Sequence, residues 1–81
     1  MAPRVAQEGE FTFIIHTREL PYEPPHVHVW CSEGEFRINL LTGELMDEPP
    51  AGKRRKLLEA YTQHAATIRQ AWQEYHGQEE G

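Results

Sequence analysis

Two histidines on one predicted strand are the residues of this chain best placed to do chemistry. His26 and His28 follow two prolines and are separated by one valine. Side chains two positions apart on a strand point to the same face and lie about 6.5–7 Å apart, so two imidazoles could bind one metal ion such as zinc. A metal site needs a further ligand, and the candidates are His16 first, then His64 or Glu35. In the structural alternative, His26 hydrogen-bonds the loop backbone and His28 lies on the surface.

The same strand face also carries groups that favour protein contacts. Trp30 continues the alternation of His26 and His28, and Arg37 lies at the matching parity of the next strand. Aromatic and arginine side chains dominate binding energy at protein interfaces. We therefore predict a partner-binding patch, with Trp30 as its anchor, made of His16, His28, Trp30 and Arg37. The expected partner is a cognate small protein or a second copy of this chain in a homodimer.

A basic run offers a different kind of site. Four cations, Lys53, Arg54, Arg55 and Lys56, lie where a helix is predicted to begin. Cations at a helix N-terminus oppose the macrodipole by about 0.3–1 kcal/mol each when exposed, so a function could account for them. The functional alternative is an anion or nucleic-acid site, and the structural one is a solvated helix start. The net charge of −5 disfavours bulk attraction to nucleic acid or anionic membranes.

The elements that position these residues follow from hydrophobic periodicity. Alternating or β-branched segments predict strands at residues 11–16, 26–31 and 35–40, with a short fourth at 44–46. Farther on, apolar residues recur at intervals of three and four, which predicts a helix over about residues 52–76, in one piece or broken near residue 64. Its apolar stripe comprises Leu57, Leu58, Tyr61, Ala65, Ile68, Trp72 and Tyr75.

Burial then predicts the architecture. The helix stripe is the only cover available for the apolar strand faces, so we expect an α+β fold. In it, a three- to four-stranded antiparallel meander has one long C-terminal helix packed on one face. The predicted domain spans residues 10–77, with a flexible N-terminus at 1–9 and a flexible tail at 78–81.

Composition narrows the classes of protein to consider. The chain has 81 residues and a single cysteine, Cys31, which excludes an intramolecular disulfide and a cysteine-rich structural zinc site. No run approaches the roughly 20 apolar residues of a membrane span, and no apolar signal segment is evident. We expect a cytoplasmic protein that does not associate with membranes and carries no cofactor, a zinc or other divalent ion being the alternative.

Three motifs in a fixed order resemble a known family. Pro-Pro-His-Val-His-Val stands at residues 24–29, Thr-Gly-Glu-Leu at 42–45, and Ala-Trp-Gln-Glu-Tyr-His-Gly at 71–77. Together they resemble the domain-of-unknown-function 4160 family over residues 10–77, although Tyr22 stands where members often carry a histidine. The resemblance implies a small bacterial protein, often encoded beside a second small protein in a toxin–antitoxin-like pair, with no catalytic residues established.

These observations give three hypotheses for function. The first is a noncatalytic interaction module that uses the helix-free sheet face. The alternative is a metal-dependent hydrolase in which His26 and His28 hold an ion that activates water. The third is a nucleic-acid-binding regulator that uses the basic run, whose binding would depend steeply on salt.

Overall fold

The residues that the structure describes form one four-stranded antiparallel sheet and one helix. The computed structural model describes residues 4–16, 24–49 and 51–76. The sheet has the strand order β1-β2-β3-β4, and all its neighbours pair antiparallel. The elements are β1 (Arg4–Glu8), β2 (Phe11–Ile14), β3 (His26–Cys31), β4 (Gly34–Asn39) and α1 (Arg54–His76). The predicted α+β meander with one long C-terminal helix is therefore confirmed.

The N-terminus differs from the prediction. We expected residues 1–9 to be flexible, but Arg4–Glu8 forms the edge strand β1. Gly9 at φ 60° and Glu10 make a two-residue turn that brings Glu8 opposite Phe11. Glycine at the first central position is typical of a type II′ hairpin turn, whose twist matches that of the strands it joins. Val5 and Ala6 pack against the core, so this hairpin extends the sheet beyond the predicted domain start at residue 10.

The expected fourth strand at residues 44–46 is reduced to a single bridge. Leu45 pairs with Ile38, and the amide of Met46 donates to the carbonyl of Arg37 at 2.8 Å. The chain turns back at residues 41–43, where Gly43 has φ 77°. This turn returns the chain along β4, so that residues 45–47 lie beside its outer edge.

The core lies where strand alternation predicts it. Val27 and Val29 of β3 are fully buried, whereas Trp30 on the opposite face is 46% exposed. Apolar side chains of β2 and β4 join the valines beneath the helix stripe. The buried apolar cluster consists of Phe11, Phe13, Ile15, Val27, Val29, Phe36, Ile38, Leu40, Leu57, Ala60, Tyr61 and Ile68.

The helix is one continuous segment of 23 residues, about 34 Å long at 1.5 Å per residue. The strands are six residues or shorter, so the helix is longer than the sheet it covers. Its excess length lies at the C-terminal end, where His76 reaches the backbone of His16. The connection at residues 17–23 and the C-terminal residues 77–81, with the predicted flexible tail at 78–81, lie outside the described residues.

Candidate functional site

Trp30 is the most exposed aromatic side chain of the sheet. It lies on the face away from the helix, opposite Thr12 of β2 and Glu35 of β4. Its exposure follows from alternation, because Val29 takes the covered side of β3. The indole offers a large apolar surface with one hydrogen-bond donor, a combination enriched at protein interfaces.

Arg37 lies on the same face and is held by Asp47. Its Nε and Nη2 donate to the two carboxylate oxygens of Asp47 at 3.0 Å each, and its backbone amide donates to Oδ2 at 3.0 Å. These hydrogen bonds and the guanidinium charge hold the pKa of Asp47 below its usual value. Arg37 therefore presents a fixed, largely neutralised side chain. Sequence reasoning did not identify Asp47 as a partner of Arg37.

We expect Asp47→Asn to lower the free energy of unfolding by about 1 kcal/mol at pH 7, since a half-exposed ion pair is screened by solvent. The pKa of Asp47 is lower in the folded than in the unfolded chain, so its stabilisation is present above its ordinary value of 3.8 and is lost as pH falls through the lower, folded value. Urea unfolding at pH 7 and at a series of pH values below 3.8 measures this difference, which should shrink as pH falls. Glu48→Gln, which alters an exposed carboxylate 3.7 Å from Arg54, is the matched control and should have no measurable effect.

Three potential ligands meet on the same sheet face. One ligand atom each from His16, His28 and Glu35 lies within 4.8 Å of the others. The His16 and His28 rings are 3.9 Å apart between centroids, and the Nδ1 of His28 donates to Glu35 at 2.6 Å. Pairing of β3 with β4 explains this approach, because Glu35 and His28 lie diagonally across neighbouring positions of the same face. The structure thus brings together His16 and His28, as predicted, and selects Glu35 as the third member.

His26 and His64 lie outside this cluster. His26 is buried and its Nδ1 donates to the carbonyl of Pro24 at 2.8 Å, as the structural alternative predicted. Its ring is 5.0 Å from that of His28, and no ligand atom of His26 joins the group at His16, His28 and Glu35. The Nε2 of His64 donates to Glu8 of β1 at 2.9 Å, which ties the helix to the edge strand. Of the predicted ligands, all of which lie within the described residues, the structure therefore groups His16, His28 and Glu35 and leaves out His26 and His64.

The C-terminal end of the helix brings the ring of Trp72, stacked on that of His76, close to His26. The Trp72 ring is centred 6.0 Å from that of His26 and stacks on His76 at 3.8 Å. The Nε2 of His76 donates to the backbone carbonyl of His16 at 2.8 Å. These contacts bury His26, although it shares the strand parity of the partly exposed His28. Sequence spacing could not reveal them, because alternation says nothing about what covers the end of a sheet.

Carboxylates accompany the basic run. Lys53 donates to both oxygens of Glu10 at 2.8 and 2.7 Å, Arg54 lies 3.7 Å from Glu48, and Arg55 donates to Glu59 at 3.2 Å. The hydrogen bond to Glu10 raises the pKa of Lys53. This pairing favours the structural explanation of the run, a helix start whose charges are offset locally. Lys56 at its end is exposed.

A second group of potential ligands is already filled by a cation. Ligand atoms of Glu10, Cys31 and Glu33 lie within 4.8 Å of one another. The ammonium of Lys53 lies 2.7 Å from Glu10 and 3.6 Å from Glu33. Cys31 is half-buried, and its thiol donates to Glu33 at 3.6 Å. The lysine supplies the positive charge that the two carboxylates need, so we interpret this group as a structural ion-pair cluster and not as a metal site.

Comparison with known proteins places the chain in a family. A family model described as Domain of unknown function (DUF4160) matches residues 11–73, well over half of the chain. This match confirms the resemblance that the motifs predicted. No curated protein and no solved structure matches significantly. Within the described residues, no helix is long and apolar enough to span a bilayer.

Proposed function

The chain belongs to the DUF4160 family, and on that premise we propose that it is a small noncatalytic protein-interaction module. The observation that carries the proposal is the 46% exposure of Trp30 on a sheet face that the helix leaves open. Exposing an indole to water in the middle of a sheet costs free energy, and burial of the indole in a partner recovers that free energy. Both strands beside it are paired, so this surface is already rigid before binding.

The charges around Trp30 specify the kind of partner. Glu35 lies directly opposite Trp30 and is half-exposed, and the whole chain carries a net charge of −5. Two copies of such a chain repel each other, whereas a basic partner is attracted. We therefore propose a small basic protein that presents an apolar pocket to Trp30. The second small protein of a toxin–antitoxin-like pair, implied by the family resemblance, is the candidate.

The four residues of the predicted patch have different roles in this proposal. Trp30 is the anchor, while Arg37 adds a planar guanidinium that Asp47 holds in place. His28 is largely covered, with a side chain 14% exposed, and His16 lies beside it. The two histidines therefore form the floor of the patch next to the indole.

The test is Trp30→Ala against Tyr75→Ala. Tyr75 is 42% exposed on the helix, so the two variants remove similar apolar surface from opposite parts of the molecule. We expect Trp30→Ala to weaken binding of the protein encoded beside this one by at least about 30-fold, as for a central aromatic anchor, and Tyr75→Ala to leave it unchanged. Isothermal titration calorimetry measures the affinity, and circular dichroism verifies that both variants fold.

Two results would contradict the proposal. Equal binding by Trp30→Ala and the wild type would exclude the indole as anchor. A wild-type chain that binds no protein encoded beside it would exclude the module itself. Loss of a homodimer in Trp30→Ala, measured by light scattering, would replace the basic partner by a second copy of this chain.

A further inference from the structure

We propose that His16, His28 and Glu35 form a binding site for a divalent first-row transition metal ion, with one ligand atom from each side chain. The three ligand atoms lie within 4.8 Å of one another. Atoms that share one ion at about 2.0–2.2 Å are at most about 4.4 Å apart, so small side-chain rotations suffice to close the site. Glu35 has that freedom, since its side chain is 46% exposed.

The donor set selects the class of ion. Two imidazole nitrogens and one carboxylate oxygen are the ligands of catalytic zinc sites and of non-haem iron sites. Calcium and magnesium prefer oxygen ligands alone, so they are excluded by the two histidines. With three protein ligands the ion keeps positions for further ligands, and Glu35, the half-exposed member of the site, lies opposite Trp30.

An unpartnered nitrogen supports the assignment independently of the distances. The Nε2 of His16 is buried and has no hydrogen-bond partner among the described residues. A buried polar atom without a partner costs free energy, and coordination to an ion would give an imidazole nitrogen a partner. The backbone carbonyl of His16 accepts from His76, so the helix end fixes the residue that carries this ring.

A second cluster of potential ligands, at Glu10, Cys31 and Glu33, can be compared with the proposed site. Glu10, Cys31 and Glu33 meet the same distance criterion, but Lys53 sits among them. At the group of His16, His28 and Glu35, the cation opposite His28 is Arg37, and its guanidinium donates to the carboxylate of Asp47. The strongest contact within the group is the hydrogen bond between His28 and Glu35, which holds two of the three donors side by side.

The experiment uses full-length, untagged protein stripped with chelator and titrated calorimetrically with zinc chloride at pH 7.5. We expect one zinc ion per chain, at least tenfold weaker zinc affinity for Glu35→Gln, and no measurable binding for the double variant His16→Asn/His28→Asn. Glu35→Gln changes a half-exposed side chain, so it tests the site even if the double variant unfolds. Magnesium should give no binding heat.

Two control variants separate this site from the rest of the chain. Cys31→Ser removes the thiol of the comparison group, and His64→Gln removes a histidine bonded to Glu8. Both should bind zinc as the wild type does. No zinc binding by the wild type, or wild-type affinity in Glu35→Gln and loss in Cys31→Ser, would overturn the assignment. Visible ligand-field bands of bound cobalt that disappear in Glu35→Gln would support it.

Discussion

Phe13→Ala is expected to lower the free energy of unfolding by about 3–5 kcal/mol. Phe13 is fully buried at the centre of β2, where it pairs with Ala6 on one side and Val29 on the other. Its removal deletes apolar contacts in both directions across the sheet and leaves a cavity under the helix. A domain of this length has about 4–12 kcal/mol to lose, so the variant should retain little stability.

Urea unfolding followed by circular dichroism measures this loss, and the melting temperature should fall by at least about 12 °C. The matched control is Thr12→Ala, in the same strand but facing the open side beside Trp30. We expect that control to cost less than about 1 kcal/mol, since β-propensity differences span that range. Equal losses in the two variants would contradict the burial of Phe13 beneath the helix.

Strand alternation predicted this part of the molecule because one helix can cover only one face of a small sheet. The valines of β3, the Phe36 and Ile38 pair of β4, and Trp30 all occupy the faces that parity assigns them. The helix stripe was equally informative, since Leu57, Tyr61 and Ile68 are buried at helical spacing. A periodic pattern of apolar residues reflects burial directly, so it can be interpreted without knowledge of the rest of the fold.

Contacts made across long stretches of chain could not be predicted in the same way. Asp47 reaches Arg37 only because the turn at residues 41–43 sends the chain back along β4. Trp72 reaches His26 only because the helix extends past the end of the sheet. Neither path is encoded by local spacing, so the sequence alone could not separate buried His26 from its neighbour His28 on the same parity.

The edge strand β1 was missed for another reason. Its sequence is mostly polar, and Val5 and Ala6 are adjacent, so they show neither an alternating nor a helical pattern. The signal that was available is the Gly9-Glu10 pair directly before an aromatic strand, a two-residue hairpin turn. An edge strand pairs with only one neighbour, and here the backbone hydrogen bonds to β2 provide stabilisation that its mostly polar side chains do not.

Deletion of residues 1–8 is therefore expected to lower the free energy of unfolding by about 3 kcal/mol or more. The deletion removes the β1–β2 ladder, at a net of about 1 kcal/mol for each hydrogen bond, and the apolar contacts of Val5 and Ala6 with the core. It also removes the hydrogen bond that joins Glu8 to His64 of the helix. Because the helix packs most closely on β1 and β2, losing β1 weakens its hold on the whole sheet.

The control is deletion of residues 1–3, which leaves β1 intact and should melt within about 2 °C of the full chain. Thermal melts and amide hydrogen exchange in β2 distinguish the two deletions, since β2 becomes an exposed edge only when β1 is gone. Equal melting temperatures for the two deletions would support the flexible N-terminus that the sequence predicted. Loss of stability confined to the longer deletion would instead mean that the domain begins at β1.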